Sequence, residues 1–157
     1  MKFFCENGQF VELKILGYQY PEMLEDNYDR NWLMIYINVK STDKQWEAAS
    51  PALLTFEVQA LINWLEKLSD NKVVKYKRKG GYEPNISFEL SNKFDSKTKV
   101  IKIYFDAEFH PLPQSNRRYC IKLKANNEEL KKYVEELKNE LEKYPIRDDY
   151  MKWEYDD

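Results

Sequence analysis

The chain has 157 residues, of which 43% are hydrophobic and 33% are charged, and its formal net charge is -2 at pH 7. A chain of this length can bury one core without disulfides, and the hydrophobic fraction is too high for a disordered protein. The mild acidity argues against a general nucleic-acid-binding protein, and no apolar run has the length of a signal peptide or a membrane span. We therefore expect one domain over residues 1–157, located in the cytoplasm, with no membrane partner.

The first part of the chain predicts a hairpin, a loop and two further strands. Residues 10–16 alternate apolar and polar side chains, as a half-buried strand does, and the Asn-Gly pair within residues 6–8 favours a tight turn before it. Residues 17–31 form a long loop of tyrosines and acids. Residues 32–40, with apolar side chains on both faces, predict a central strand covered on each side. Residues 45–50 predict a short antiparallel strand that returns beside it.

Two helices are predicted, one on each side of a series of strands. The first, over residues 55–71, has Thr55 as a suitable N-cap, and its apolar side chains extend around most of its circumference, which predicts deep burial. In the second, over residues 127–144, Asn126 and Glu129 have the spacing of a capping box, and a narrow apolar stripe predicts an amphipathic surface helix.

Four short strands are predicted between the helices, at residues 73–77, 85–90, 100–105 and 118–124, as an antiparallel meander. The order of these elements predicts an α+β fold with mostly antiparallel sheet, one buried central helix and one C-terminal amphipathic helix. The acidic and aromatic tail, residues 146–157, either packs as an arm or frays.

The sequence contains no recognisable catalytic or metal-binding motif. His110 is the only histidine, and Glu108 is placed to orient it as a general base, but a structural loop histidine is the favoured interpretation. Cys5 and Cys120 have no second cysteine or histidine at a metal-ligand spacing, so we expect two buried, reduced thiols. The four glycines form no phosphate-binding loop. We expect a protein that is not an enzyme and uses no metal or cofactor.

A basic segment, residues 72–82, is one candidate binding surface. It places lysines and an arginine beside Tyr76 and Tyr82, the combination of charge and stacking rings that binds single-stranded nucleic acid. Basic residues at a strand end also serve simply to keep that end solvated. Nucleic-acid or RNA binding through this hairpin is therefore the alternative function, and the less favoured one.

The loop at residues 17–31 is the other candidate surface. Tyrosines supply large contact areas at low entropic cost, and acids attract a basic partner. We predict that the partner-binding residues are Tyr20, Glu22, Glu25, Asp26, Tyr28 and Asp29. The structural alternative is that Asp29 and Asn31 hold the loop through local hydrogen bonds while Trp32 covers the core.

Several stretches carry a family resemblance: GYQYP at 17–21, DNYDRNWLMI at 26–35, Trp46, and SPALLTFEVQALINWLEKL at 50–68. Together they resemble the WapI-like immunity proteins, which neutralise the C-terminal toxin domains of WapA-type contact-dependent toxins. The resemblance covers about the first seventy residues. It implies a small cytoplasmic protein that binds a cognate toxin domain, a nuclease, and protects its own cell without catalysis.

Overall fold

The computed structural model describes residues 1–24 and 28–147. The elements in chain order are β1 (Lys2–Phe4), β2 (Phe10–Tyr18), β3 (Trp32–Lys40), β4 (Gln45–Leu54), α1 (Thr55–Ser69), β5 (Arg78–Gly80), β6 (Ile86–Leu90), β7 (Thr98–Phe105), β8 (Tyr119–Asn126) and α2 (Asn127–Glu142). Short 3₁₀ turns lie at Glu6–Gly8, Tyr28–Asn31 and Ala107–Phe109.

The strands form two antiparallel sheets of four strands each, with the orders β1-β2-β3-β4 and β5-β6-β7-β8. The α+β class and the meander after α1 are as predicted, although the sequence did not indicate that the strands divide into two sheets. The division follows from α1, because β4 runs directly into a helix of 15 residues. That helix carries the chain about 22 Å before the next strands begin.

β3 is an inner strand of the first sheet, as predicted, but only one of its faces is fully covered. Its odd-numbered residues are buried, whereas Trp32, Met34 and Tyr36 on the other face are half-buried. β4 is also longer than the predicted strand, because it continues for four residues beyond Ser50 to Leu54.

Aromatic side chains join the inner faces of the two sheets. Phe3 on β1 packs against Phe88 on β6 with ring centroids 5.8 Å apart, and Trp46 on β4 packs against Phe105 on β7 at 5.7 Å. Tyr133 of α2 meets Phe3 edge to face at 4.9 Å. The core therefore lies between the sheets and is closed by the helices.

α1 is buried around most of its circumference, as its apolar residues predict, but Thr55 is not its N-cap. Leu54 takes that position, and its N–H donates to the Glu57 carboxylate at 2.9 Å. The Thr55 hydroxyl instead donates to Asn31 Oδ1 at 2.7 Å. The side chain that the sequence assigned to the helix start thus holds the end of the preceding loop.

The predicted strand at residues 73–77 does not form, and β5 begins only at Arg78. The Tyr76 carbonyl accepts the Trp64 indole N–H at 2.9 Å, so α1 holds the segment there, and within the described residues only the Lys77 carbonyl of the segment bonds to the sheet, at 2.8 Å from the Leu90 N–H. Val73 is 69% exposed, and the pair of valines that suggested a strand is therefore not buried together.

α2 has the predicted capping box between Asn126 and Glu129, and its apolar stripe is buried. The helix packs mainly against α1, and a Lys138–Glu66 ion pair at 2.7 Å joins the two. In the described ranges, neither helix is long and apolar enough to cross a membrane.

Candidate partner-binding surface

Asn31 ends the 3₁₀ turn before β3 and has 0% of its surface exposed. Its side-chain oxygen accepts two hydrogen bonds, one from the Thr55 hydroxyl at 2.7 Å and one from the Arg147 backbone N–H at 2.9 Å. A buried acceptor with two donors stabilises the fold, because each group would lose its partner if the amide were removed. Asn31 therefore joins the loop end to α1 and to the C-terminal segment.

Arg147 fastens the other part of the same loop. Its guanidinium donates to the carbonyl of Tyr20 at 3.0 Å and to the carbonyl of Pro21 at 3.2 Å. The same group lies over the Tyr18 ring, 3.6 Å from the centroid. Stacking and two carbonyl bonds from one planar cation hold the backbone at Tyr20 and Pro21 against the end of the chain's described part.

The Tyr18 hydroxyl adds a further link, since it donates to the Pro145 carbonyl at 2.5 Å. Burial raises the pKa of Tyr18, and the neighbouring Arg147 cation partly opposes that shift. Sequence reasoning missed Arg147, because it lies in the tail that was expected to pack as an arm or fray. The positive charge of Arg147 in a mostly acidic tail was the only signal in the sequence that pointed to this residue.

Asp29 and Tyr28 are tied into the protein. The Trp32 indole N–H donates to Asp29 Oδ1 at 3.2 Å. The Tyr28 ring meets Trp32, Phe56 and Tyr82 at centroid distances of 6.3, 5.9 and 5.7 Å. Burial, followed by the nearby Tyr82 and Glu57, raises the pKa of Tyr28. For these two residues the contacts are structural, and Trp32 is a half-buried ring on the less covered face of β3.

Tyr20 and Glu22 face solvent. Tyr20 is 42% exposed, Glu22 is exposed, and the neighbouring Leu24 is 90% exposed. A shallow cleft of about 600 Å³ is lined by residues 19–24. The other two predicted binding residues, Glu25 and Asp26, lie outside the described residues.

The basic segment adjoins this loop through the contact of Tyr82 with Tyr28, and a buried carboxylate holds it to the start of α1. Glu57 accepts the Tyr82 N–H at 2.7 Å in addition to its bond from Leu54. Burial raises the pKa of Glu57, and the two backbone hydrogen bonds partly oppose the shift. Tyr76 and Tyr82 are exposed, and Lys75 Nζ lies 5.0 Å from the centroid of the Tyr76 ring.

His110 has the contacts of a structural loop histidine, which was the favoured interpretation. The residue is buried, and its Nδ1 accepts the Leu112 N–H at 2.8 Å. Glu108 instead accepts a hydrogen bond from the Asn85 amide at 2.7 Å, so the general-base arrangement with His110 is not formed.

The expectation that both cysteines are buried was wrong. Cys120 is exposed because it faces outward from the edge strand β8, and Cys5 is half-buried. Both thiols are free. Within residues 1–24 and 28–147, no three His, Cys, Asp or Glu side chains are grouped so as to hold a metal ion.

Comparison with known proteins yields one family match. The model of the immunity protein WapI-like family matches residues 2–145. No curated protein and no solved structure matches the chain. The match is about twice as long as the resemblance noted from sequence, and it includes the meander and α2.

Proposed function

Because the chain belongs to the immunity protein WapI-like family, we propose that it binds a cognate toxin domain, a nuclease, and neutralises it in the cytoplasm of its own cell. The family match over residues 2–145 is the observation that carries this proposal. The protein acts by forming a protein complex and catalyses no reaction.

β2 extends to Tyr18, two residues into the predicted loop, so the binding surface in this proposal is the exposed side of the remaining loop at residues 19–31. Tyr20 and Glu22 are exposed there, and Glu25 and Asp26 follow them in the chain. Nuclease domains present basic surface around a phosphate-binding cleft, so an acidic and aromatic surface complements them in charge and contact. Tyr28 and Asp29 contribute from behind by shaping the loop.

Arg147 and Asn31 support this proposal, because their hydrogen bonds hold the backbone at Tyr20 and Pro21 and the loop end at Asn31. Backbone that is already held loses less conformational entropy on binding than free backbone. The contacts of Arg147 to the backbone of Tyr20 and Pro21 leave the side chain of Tyr20 exposed for a partner.

The direct test uses the toxic domain encoded beside the immunity gene. Expression of that domain alone is expected to arrest growth, and co-expression with this chain is expected to restore it. The purified pair should elute as one complex in size-exclusion chromatography, and nucleic-acid cleavage by the toxin should stop at equimolar immunity protein. Continued cleavage at saturating immunity protein would overturn the proposal.

A further inference from the structure

The outer face of the second sheet carries a group of cations that the proposed toxin-binding loop does not use. The inner face of this sheet is buried in the core, and alternate residues point the opposite way. We call this outer surface the basic face. Its defining residues are Arg78, Lys102, Tyr104, Arg118, Lys122 and Lys124.

Two lysines stand directly opposite each other on the basic face. Lys102 on β7 and Lys122 on β8 are paired in register. Like charges in such cross-strand positions destabilise a sheet, and no ion pair in residues 1–24 or 28–147 engages either of them. An anion lying across the two strands would relieve this repulsion.

The neighbouring cations are only partly compensated. Arg118 has Asp106 at 3.3 Å, and Lys124 has Glu6 at 2.8 Å. Glu89 is the one acid within the sheet register, opposite both Arg78 and Lys102. The face therefore has a positive excess although the whole chain has a net charge of -2. The balancing acids lie elsewhere, and α2 alone has six glutamates against three lysines.

An aromatic ring lies at the centre of the face. Tyr104 is on the inner strand β7, and the guanidinium carbons of Arg78 and Arg118 lie 5.5 and 5.7 Å from its ring centroid. Arg78 is held in place by a bond to the buried Ser87 hydroxyl at 2.9 Å. Tyr104 is half-buried, and the two exposed arginine side chains lie over its ring, so their guanidinium planes are the stacking surfaces that this part of the sheet presents to solvent.

Cys120 is opposite Tyr104 in register and is exposed. Partial burial raises the pKa of its thiol, while the positive charges of Lys102 and Lys122 act in the opposite direction. Both lysines therefore act on the centre of the face, next to the ring.

We propose that the basic face binds single-stranded RNA, with a base stacked on the guanidinium planes of Arg78 and Arg118 that Tyr104 supports, and with Lys102 and Lys122 beside the phosphates. An antiparallel sheet of four strands with an aromatic residue on an inner strand and cations around it is a platform that suits unpaired bases. An acidic protein would match the charges but would not use the planar stacking surface of the two guanidinium groups. This binding is independent of the proposed toxin neutralisation and uses a different surface from the hairpin at residues 72–82, although Arg78 belongs to both.

The test is fluorescence anisotropy with a short labelled single-stranded RNA of mixed sequence, over a series of salt concentrations. The logarithm of the affinity should fall linearly with the logarithm of the salt concentration. Lys102→Gln and Lys122→Gln should each make that slope less steep by about 0.7, because each removes one phosphate contact. Tyr104→Leu should weaken binding roughly five- to hundredfold and leave the slope unchanged, because it removes stacking and no charge.

Matched controls distinguish the lysines of the basic face from lysines elsewhere on the protein. Lys131→Gln with Lys132→Gln, on the exposed side of α2, should change neither affinity nor slope. Lys75→Gln with Lys77→Gln removes two charges from the basic hairpin and should have little effect. Unchanged circular dichroism and melting temperature show that each variant is folded.

Three results would overturn the proposal. The first is no RNA binding by the wild-type chain at low salt. The second is binding that responds to Lys75 and Lys77 but not to Tyr104 and Lys122, which would assign it to the hairpin. The third is displacement of the RNA by polyglutamate together with full binding by the Tyr104→Leu variant, which would indicate docking of an acidic protein. Toxin neutralisation is measured separately, so failure of RNA binding leaves that function untouched.

Discussion

Tyr28 and Tyr82 meet edge to face, with ring centroids 5.7 Å apart and planes at 90°. The first belongs to the acidic loop and the second to the end of the basic segment, two regions that sequence reasoning treated as rival binding surfaces. Since the rings touch and Glu57 holds the Tyr82 backbone, the two regions share a boundary. A substitution that moves one of these two rings is therefore expected to alter the structure of the other region through this contact.

Replacing Arg147 with alanine should loosen the loop. The substitution removes the guanidinium bonds to Tyr20 and Pro21 and the stacking on Tyr18. We expect a loss of about 1–3 kcal/mol in the free energy of unfolding, measured in urea. Arg117→Ala, at an exposed position, is the control. Equal stability of the two variants would contradict the assigned role.

Asn31→Ala should lower the free energy of unfolding by more than the small side chain that it removes would suggest. The change leaves the Thr55 hydroxyl and the Arg147 N–H without their buried acceptor, so we expect a loss of about 2–4 kcal/mol. The exposed Asn116→Ala serves as a control and should change the unfolding free energy by less than about 0.5 kcal/mol. A Thr55→Val substitution in the Asn31→Ala background should cost less than it does in the wild type, because the partner is already lost.

Gly81→Ala should destabilise the contact between the end of β5 and α1. A Cβ at this position would lie 2.6 Å from Glu57 Oε2, closer than such atoms approach in folded proteins, and a tight 3.0 Å from Leu53 Cδ2. We expect a loss of about 1–3 kcal/mol in thermal or urea unfolding. In a Glu57→Ala background most of the clash is absent, so the effect of Gly81→Ala should shrink. Additive losses would argue that the strain lies elsewhere.

The raised pKa of Glu57 predicts a particular pH dependence. The buried folded-state carboxyl keeps its proton to a higher pH than the unfolded one, whose ordinary value is 4.5. The contribution of Glu57 to stability should therefore decrease as pH rises from about 4.5 through the folded-state pKa, and level off above it. The difference in unfolding free energy between the wild type and Glu57→Gln, measured over a pH series, reports this change. A difference that grows in favour of the wild type over that range would contradict it.

Charge reversal in the acidic loop should weaken toxin binding. Glu25→Lys with Asp26→Lys places two cations toward a basic partner, so we expect at least a tenfold loss of affinity by calorimetry, mostly through slower association. The melting temperature should not change. Glu136→Lys with Glu142→Lys, at exposed positions on α2, gives the same change in net charge and should retain affinity. If both pairs behave alike, the loop has no specific part in binding.

The pattern of local periodicity was enough to predict most of the elements. The strands around Leu13 and Ile35 follow from alternation, and the capping box of Asn126 and Glu129 follows from a spacing of three residues. These signals depend on neighbours along the chain, so they can be read without coordinates. The segment at residues 73–77 was misread because its composition favours a strand while a tertiary bond from Trp64 holds it elsewhere.

The α+β class, the buried first helix, the amphipathic second helix and the family of the chain could all be predicted from the sequence. Long-range contacts were needed to show that there are two sheets, that Arg147 holds a loop more than a hundred residues before it, and that cations from β5, β7 and β8 share one face with Tyr104. The physical reason is the separation along the chain of the residues that interact. Periodicity and capping arise from adjacent residues, whereas these contacts join groups that come together only when the core between the sheets is closed.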